Sequence, residues 1–300
     1  MTRKSDRLDL KPASKISLVD CHCHFPLDPP PRGIPYSYET QYEEFFRENG
    51  QFLVTSTNYY GYQITYNFAQ NHPNIYMTYG WGPQTVTYSE KSKHDRDFSK
   101  FLEFIQKNAK KFIGIGEIGL DFHHAKKLTD RERQISVFEK IIQETKYLGL
   151  PYSLHVRNAG PNDKDPDLPQ DPYNERDRVN NIITEILEDE NIPPDQVMWH
   201  CFSGPAEWGP YLAKQGYYLS VPASAYGFRR WRRNFEGVLI ESLLTETDSA
   251  WQHPYKIGEF NVPLNVKYAV AAIAYLQQKN QQEVSEIILK NALKFFHFPK

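Results

Sequence analysis

Eight short apolar runs, separated by helical patterns, constrain the fold more than any other feature of this sequence. The runs are continuous rather than alternating, which is typical of strands buried on both faces of a parallel sheet. We expect strands at Ile16–Asp20, Phe52–Ser56, Ile75–Trp81, Phe112–Glu117, Tyr152–His155, Val197–His200, Tyr217–Val221 and Leu243–Glu246. Helical periodicity occurs at Glu39–Glu48, Tyr62–Asn71, Asp95–Lys110, Thr129–Leu148, Glu175–Glu190, Ala206–Gln215, Trp231–Leu239, Val266–Lys279 and Gln282–Phe296.

Strands that alternate with helices over 300 residues predict an α/β protein with a (β/α)8 TIM barrel. The alternative is a doubly wound open sheet, which usually carries a glycine-rich phosphate loop after its first strand. No such loop follows the first run. Gly114-x-Gly116-x-x-Gly119 has the spacing, but it crosses the fourth predicted strand and no helix begins there. The barrel is therefore favoured.

We predict one domain over residues 1–300, with an N-terminal extension at 1–15 and an inserted loop at 158–173. The loop is rich in proline and aspartate and follows the fifth predicted strand. In a barrel, that position lies on the face where active sites form. Loops of this length are commonly functional, although a solvated surface insertion would have the same composition.

Composition narrows the class of protein. Lysine and arginine number 35 against 37 aspartates and glutamates, a net charge of −2, which disfavours a strongly basic nucleic-acid binder but permits a local basic patch. The three cysteines fit a reducing compartment. Met1–Lys15 lacks the apolar core of a signal peptide, and the longest apolar stretch, near Ala269–Leu276, is far shorter than the roughly 20 residues of a membrane span. We expect a cytoplasmic protein with no membrane association and no implied protein partner.

Two histidines end the first predicted strand in Asp20-Cys21-His22-Cys23-His24. Strand side chains alternate, so His22 and His24 point the same way and can bind one divalent metal. Cys21 and Cys23 then face the opposite side. We expect them to be packed thiols rather than metal ligands.

Four more candidate ligands lie at the ends of other predicted strands: Glu117, His155, His200 and Asp248. The carboxyl ends of barrel strands converge on one face, so we expect these side chains to meet the two histidines of the first strand. A single histidine at a strand end is often only a hydrogen-bonded core residue. Three strand ends with histidine, together with Glu117 and Asp248, argue against that alternative for the whole set.

Five motifs, DCHCHF, GEIGLD, LHVR, HCFSG and ETDS, occur in this order between Asp20 and Ser249. Together they resemble the TatD family of metal-dependent hydrolases, which belongs to the amidohydrolase-like barrels. The resemblance extends from about Leu18 to Phe296. One departure is Gly80-Trp81-Gly82-Pro83, where the family usually has Gly-x-His-Pro. A second is the Ser249-Ala250-Trp251 that follows Asp248, where the family commonly has a small residue and proline.

The resemblance implies a centre of two divalent metal ions, Zn²⁺, Mn²⁺ or Mg²⁺. His22, His24 and Asp248 would bind the first ion, His155 and His200 the second, and Glu117 would bridge both. The implied activity is deoxyribonuclease hydrolysis of DNA phosphodiesters, with a metal-bound hydroxide as nucleophile. Asp248 would accept the proton that the metal-bound water loses. Asp248 and Glu117 are therefore the two expected catalytic residues. A helix N-cap is the structural alternative for Asp248.

Substrate contacts are less specific in the sequence. Arg157 could bind a substrate phosphate, because its guanidinium suits bidentate contact, or form a structural ion pair. The cluster Arg229-Arg230-Trp231-Arg232-Arg233 suits a nucleic-acid strand or a solvated helix start. Of His123 and His124, adjacent residues that point differently, at most one is expected to be functional.

Other functions would use the same ligand set. The same centre could hydrolyse a different ester or amide, such as an aminoacyl-tRNA ester, because loops rather than the barrel choose the substrate. A non-catalytic metal-binding barrel is the alternative outside enzymes. DNA or another phosphodiester remains the expected substrate.

Overall fold

The computed structural model describes residues 6–27, 37–160, 163 and 177–298. Within them, one parallel sheet of eight strands runs in sequence order from β1 to β8. The strands are β1 (Leu18–Cys23), β2 (Gly50–Asn58), β3 (Ile75–Gly80), β4 (Gly114–Asp121), β5 (Tyr152–Arg157), β6 (Val197–Trp199), β7 (Tyr218–Pro222) and β8 (Leu243–Glu246). Each overlaps one predicted run, and the TIM-barrel prediction is confirmed.

Helices follow the strands around the outside of the sheet. In the described part of the chain they are α1 (Tyr38–Arg47), α2 (Tyr62–Asn71), α3 (Pro83–Tyr88), α4 (Lys91–Asn108), α5 (Leu128–Thr145), α6 (Arg178–Asp189), α7 (Trp208–Gln215), α8 (Arg229–Arg232), α9 (Val266–Gln277) and α10 (Gln281–Phe295). The core between the layers is apolar, with Phe101, Phe138 and Ile183 fully buried. Burial of such side chains is the main stabilising contribution to a barrel of this size.

The barrel is nearly closed at the seam between β8 and β1, where side chains join the strands. Thr245 Oγ1 donates to Val19 O at 2.7 Å, and Thr247 N donates to Asp20 Oδ1 at 2.9 Å. One step further along, Asp248 N donates to His22 O at 3.0 Å. The seam therefore fixes the residue after β8 beside the histidines of β1.

β4 is longer than predicted, because the strand continues through Asp121. Gly119 permits this close pairing with β5: its φ is +139°, and a Cβ there would lie 2.1 Å from His155 O. Gly80 similarly allows β3 to approach β4, since its Cβ would lie 2.3 Å from Glu117 O. These glycines bring the backbones of two site residues close to neighbouring strands.

The predicted helix Trp231–Leu239 is wrong in most of its length. The structure has the short α8 and a single 3-10 turn at Arg233–Phe235. Gly237 then takes a φ of +78°, which ends helical geometry. The sequence also missed α3, a single short helix that begins at Pro83.

Most of the inserted loop lies outside the described residues. Its described part is 158–160 and 163, with Asp163 buried against His123 Nδ1 at 2.7 Å. The assignment of a single domain over 1–300, with an extension at 1–15, stays a prediction. In the portion of the chain that the structure covers, every helix is too short or too polar to cross a membrane.

Candidate metal centre

The six predicted ligands meet at the carboxyl end of the barrel. His22 lies on β1, and His24 follows it directly. Glu117 and His155 lie within β4 and β5, while His200 and Asp248 follow β6 and β8. Ligand atoms within 4.8 Å of one another form the groups His22–His24–Glu117, Glu117–His155–His200 and His22–His200–Asp248. We call His22, His24 and Asp248 the β1–β8 half of the site, and His155 and His200 the β4–β6 half.

Glu117 lies between the two halves, and its two oxygens face different sides. Oε1 is 2.5 Å from His155 Nδ1 and 3.4 Å from His200 Nε2. Oε2 is 3.5 Å from His24 Nε2 and 3.9 Å from His22 Nε2. The backbone N–H of Glu117 donates to Ser56 Oγ at 2.9 Å, which anchors the residue. A carboxylate placed in this way has one oxygen available to each half.

The β1–β8 half contains a buried nitrogen with no protein partner. His22 is 1% exposed, and its Nδ1 lies 3.3 Å from Ser153 Oγ. Its Nε2 is buried without a hydrogen bond, 3.9 Å from Asp248 Oδ1. Buried polar atoms are normally satisfied, so such a nitrogen calls for an explanation. Imidazole nitrogens and carboxylate oxygens are ligands of Zn²⁺ and Mn²⁺, and a cation at this point would satisfy Nε2.

Two fully buried carboxylates contact the β4–β6 half from outside. Asp121 Oδ2 is 3.1 Å from His155 Nε2, and Glu246 Oε2 is 3.7 Å from His200 Nδ1. Glu246 also accepts a hydrogen bond from Ser220 Oγ. Sequence analysis missed both carboxylates as contacts of the site. Carboxylates in this position orient metal-binding imidazoles and make them more basic.

The surroundings shift the pKa values of the site in opposite directions. Burial, with His200 and His24 nearby, lowers the pKa of His22 well below its usual value. Burial would also lower the pKa of His155, but the Glu117 and Asp121 carboxylates outweigh it and raise that pKa to about 9. Burial would raise the pKa of Glu117, yet His155 and His200 hold it well below the ordinary range.

Asp248 does not cap a helix. Its carboxylate Oδ1 lies 3.3 Å from His24 Nε2, and its carbonyl accepts the Trp251 N–H in a tight turn at 2.7 Å. Among the described elements, no helix begins at Ser249, because residues 249–250 form a turn and residue 251 a bend. The alternative of an N-cap is therefore wrong, and Asp248 faces the candidate ligands.

A cavity of about 680 Å³ opens onto the cluster and contains the exposed Arg157 in its wall. His124 also lines the cavity, held by Asp121 Oδ2 at 2.7 Å from its Nδ1, whereas His123 is paired with Asp163. Gln84 Nε2 donates to Asp121 Oδ2 at 2.9 Å from the far side. Gly82, which stands at the histidine position of the Gly-x-His-Pro motif, lines the cavity together with Gln84.

The arginines of the cluster differ in their exposure to solvent. Arg232 is 7% exposed, and its Nη1 donates to Ala225 O at 2.9 Å and to Tyr226 O at 3.2 Å. Arg232 therefore holds the loop after β7 and does not face substrate. Arg229 and Arg233 are exposed, and Trp231 is the cluster residue that lines the cavity.

Comparison with known proteins identifies the family of the chain. The family model described as TatD related DNase matches residues 19–297. A metal-dependent hydrolase of Methanocaldococcus jannaschii is 27% identical over 281 residues, which cover 94% of this chain and 97% of that protein. A human protein named Deoxyribonuclease TATDN3 is 26% identical over 294 residues, covering 95% and 96%.

Solved structures give the same fold. The TatD homologue YJJV from Escherichia coli superposes with a TM-score of 0.74 at 20% identity, over 94% of this chain and 98% of that one. An amidohydrolase from Saccharomyces cerevisiae has a TM-score of 0.72 at 14% identity, over 94% and 100%. The family match spans nearly the whole chain, and the chain therefore belongs to the TatD family of metal-dependent hydrolases.

Proposed function

We propose that this protein is a deoxyribonuclease that hydrolyses phosphodiesters at a centre of two divalent cations. The observation that carries the proposal is the position of Glu117, whose two carboxylate oxygens face separate groups of histidines. One cation would be held by His22, His24 and Asp248, the other by His155 and His200, with Glu117 shared. Two cations supply charge neutralisation at the scissile phosphate and lower the pKa of water.

The residues of the chain would perform the remaining steps. Asp248 would take a proton from the attacking water on its carboxylate, a role supported by its position in the wall of the cavity. Arg157 would bind a non-bridging phosphate oxygen through its guanidinium. Glu117 would stay ionised, since His155 and His200 keep its pKa low.

Support for DNA as the substrate comes from the family match and the name of the human relative. A hydrolysis panel tests it: protein reconstituted with Zn²⁺, Mn²⁺ or Mg²⁺ is assayed on single- and double-stranded DNA, RNA, aminoacyl-tRNA and small esters. We expect cleavage of DNA and its loss on addition of a chelator. Cleavage restricted to the aminoacyl ester or small esters would identify the alternative hydrolase, and no hydrolysis of any substrate would favour a binding protein.

A further inference from the structure

The cavity over the candidate centre has two unlike walls. Asn58, at the end of β2, and Gln84 and Thr85, on α3, give one part of the lining that is polar and uncharged. Trp231, on α8, and Trp251, in the turn after β8, give another part that is aromatic. The two tryptophans thus come from elements that follow adjacent strands, and both line the cavity that Asp248 lines.

Trp251 is held close to the centre by its backbone. Its N–H donates to Asp248 O, and the neighbouring Ala250 O accepts from Asn261 N at 3.0 Å. Asn261 Nδ2 donates to Thr247 O at 2.8 Å, which fixes the turn from the other side. The indole itself is 49% exposed. An exposed aromatic ring held beside the centre by hydrogen bonds of its turn is available for contact with a ligand in the cavity.

Trp231 is positioned by the buried arginine beside it. Arg232 bonds to Ala225 O and Tyr226 O, and so ties α8 to the loop after β7. The guanidinium of Arg230 lies 5.1 Å from the centre of the Trp231 ring. That arrangement is a cation–π contact, which orients the indole that lines the cavity.

The charges of the cavity fit a single nucleotide better than a long polyanion. Among the described residues that line it, Arg157 is the one lysine or arginine. A groove that tracks a nucleic-acid backbone normally carries several cations, whereas aromatic rings stack on bases of any sequence. A volume of about 680 Å³ lies in the range of small-ligand pockets.

We propose that Trp231 and Trp251 form an aromatic platform that stacks the base adjoining the scissile phosphate. This inference rests on the proposed nuclease function and names the group that selects its substrate. A base can reach the platform only outside a duplex, so unpaired nucleotides are selected. Stacking does not depend on base identity, so the platform distinguishes a nucleotide with a base from one without.

The test compares two ligands that share a phosphate. Binding of thymidine 5′-monophosphate and of 2-deoxyribose 5-phosphate to the full chain is measured by calorimetry in saturating Mg²⁺. We expect the nucleotide to bind at least about fivefold more tightly, the lower bound for one stacked base. Trp251→Ala should bring the ratio close to one, Trp251→Phe should retain most of it, and Trp231→Ala should reduce it in a variant that keeps the wild-type circular dichroism.

Trp208→Phe is the matched control, since Trp208 lies on α7 and does not line the cavity. A wild-type ratio near one would overturn the platform, as would a ratio unchanged in both Trp251→Ala and Trp231→Ala. Oligonucleotides with and without an abasic residue separate this inference from the nuclease proposal. If the wild-type protein cleaves neither oligonucleotide, the proposed nuclease function is wrong. If it cleaves both at the same rate, only the proposal of an aromatic platform is wrong.

Discussion

The two halves of the candidate metal centre differ in what lies near the outer nitrogens of His22, His155 and His200. In the β4–β6 half, the buried carboxylates of Asp121 and Glu246 approach His155 and His200. In the β1–β8 half, the outer nitrogen Nδ1 of His22 lies 3.3 Å from the neutral hydroxyl of Ser153, its one hydrogen-bond partner among the residues that the structure describes. Carboxylate partners raise the basicity of an imidazole ligand, whereas a hydroxyl contributes mainly orientation.

This difference suggests that one half of the site serves metal binding and the other serves proton transfer. In the proposed centre, the β4–β6 half would hold a cation firmly, because the carboxylates of Asp121 and Glu246 lie near the outer nitrogens of its histidines and make these ligands more basic. The β1–β8 half contains Asp248, which lines the cavity and would accept the proton of the reacting water in the proposed mechanism. We infer that the first half anchors a metal and the second performs the proton transfer.

The largest effect is expected from Asp248→Asn. The substitution keeps an oxygen ligand of the same size but removes nearly all basicity, so turnover should fall by roughly 10²–10⁴-fold, the usual contribution of a general base. DNA hydrolysis must be measured at saturating metal, with metal content determined on the same sample. A variant that holds two metals and retains more than about a tenth of wild-type turnover would remove Asp248 from proton transfer.

An intermediate effect is expected from the carboxylates of the β4–β6 half. Asp121→Asn and Glu246→Gln should each weaken the affinity for the more tightly bound cation by about 10–100-fold. Competition with a chelator measures this without any substrate. Asp97→Asn is the matched control, because Asp97 is also buried but pairs with Arg96 on α4. Unchanged affinity in both site variants would show that the carboxylates do not support the ligands.

The smallest effect is expected from Ser153→Ala, which removes the partner of His22. A neutral hydrogen bond contributes about 0.5–1.5 kcal/mol, so the affinity for the second cation should fall by about two- to tenfold. The same chelator competition applies. A loss as large as that of Asp121→Asn would eliminate the distinction between the halves.

The barrel and the ligand positions could be predicted because the sequence patterns that indicate them extend over only a few consecutive residues. Continuous apolar runs mark strands buried on both faces, and each ligand lies at or near the end of such a run. Alternation also carried an unused signal: Ser153 is two residues before His155 on β5, so it shares the face of that ligand. Alternation predicts the face of the strand on which a side chain lies, but not which residue of another strand that side chain contacts.

The partners depend on packing between strands. Ser153 contacts His22 of β1, and Glu246 contacts His200 after β6, neither of which is its neighbour in sequence. β5 is not adjacent to β1 in the sheet, nor β8 to β6, so these contacts form only when the barrel brings non-adjacent strands together. The short α8 was mispredicted for a similar reason, since Arg232 and Gly237 act through tertiary contact and backbone conformation rather than periodicity.

Metal stoichiometry tests the central claim most directly. Elemental analysis of fully reconstituted wild-type protein should give close to two equivalents per chain. The double variant His155→Ala, His200→Ala should give close to one, because Glu117 and the β1–β8 half remain. A wild-type value that saturates at one, or a double variant that still binds two, would contradict a centre divided around Glu117.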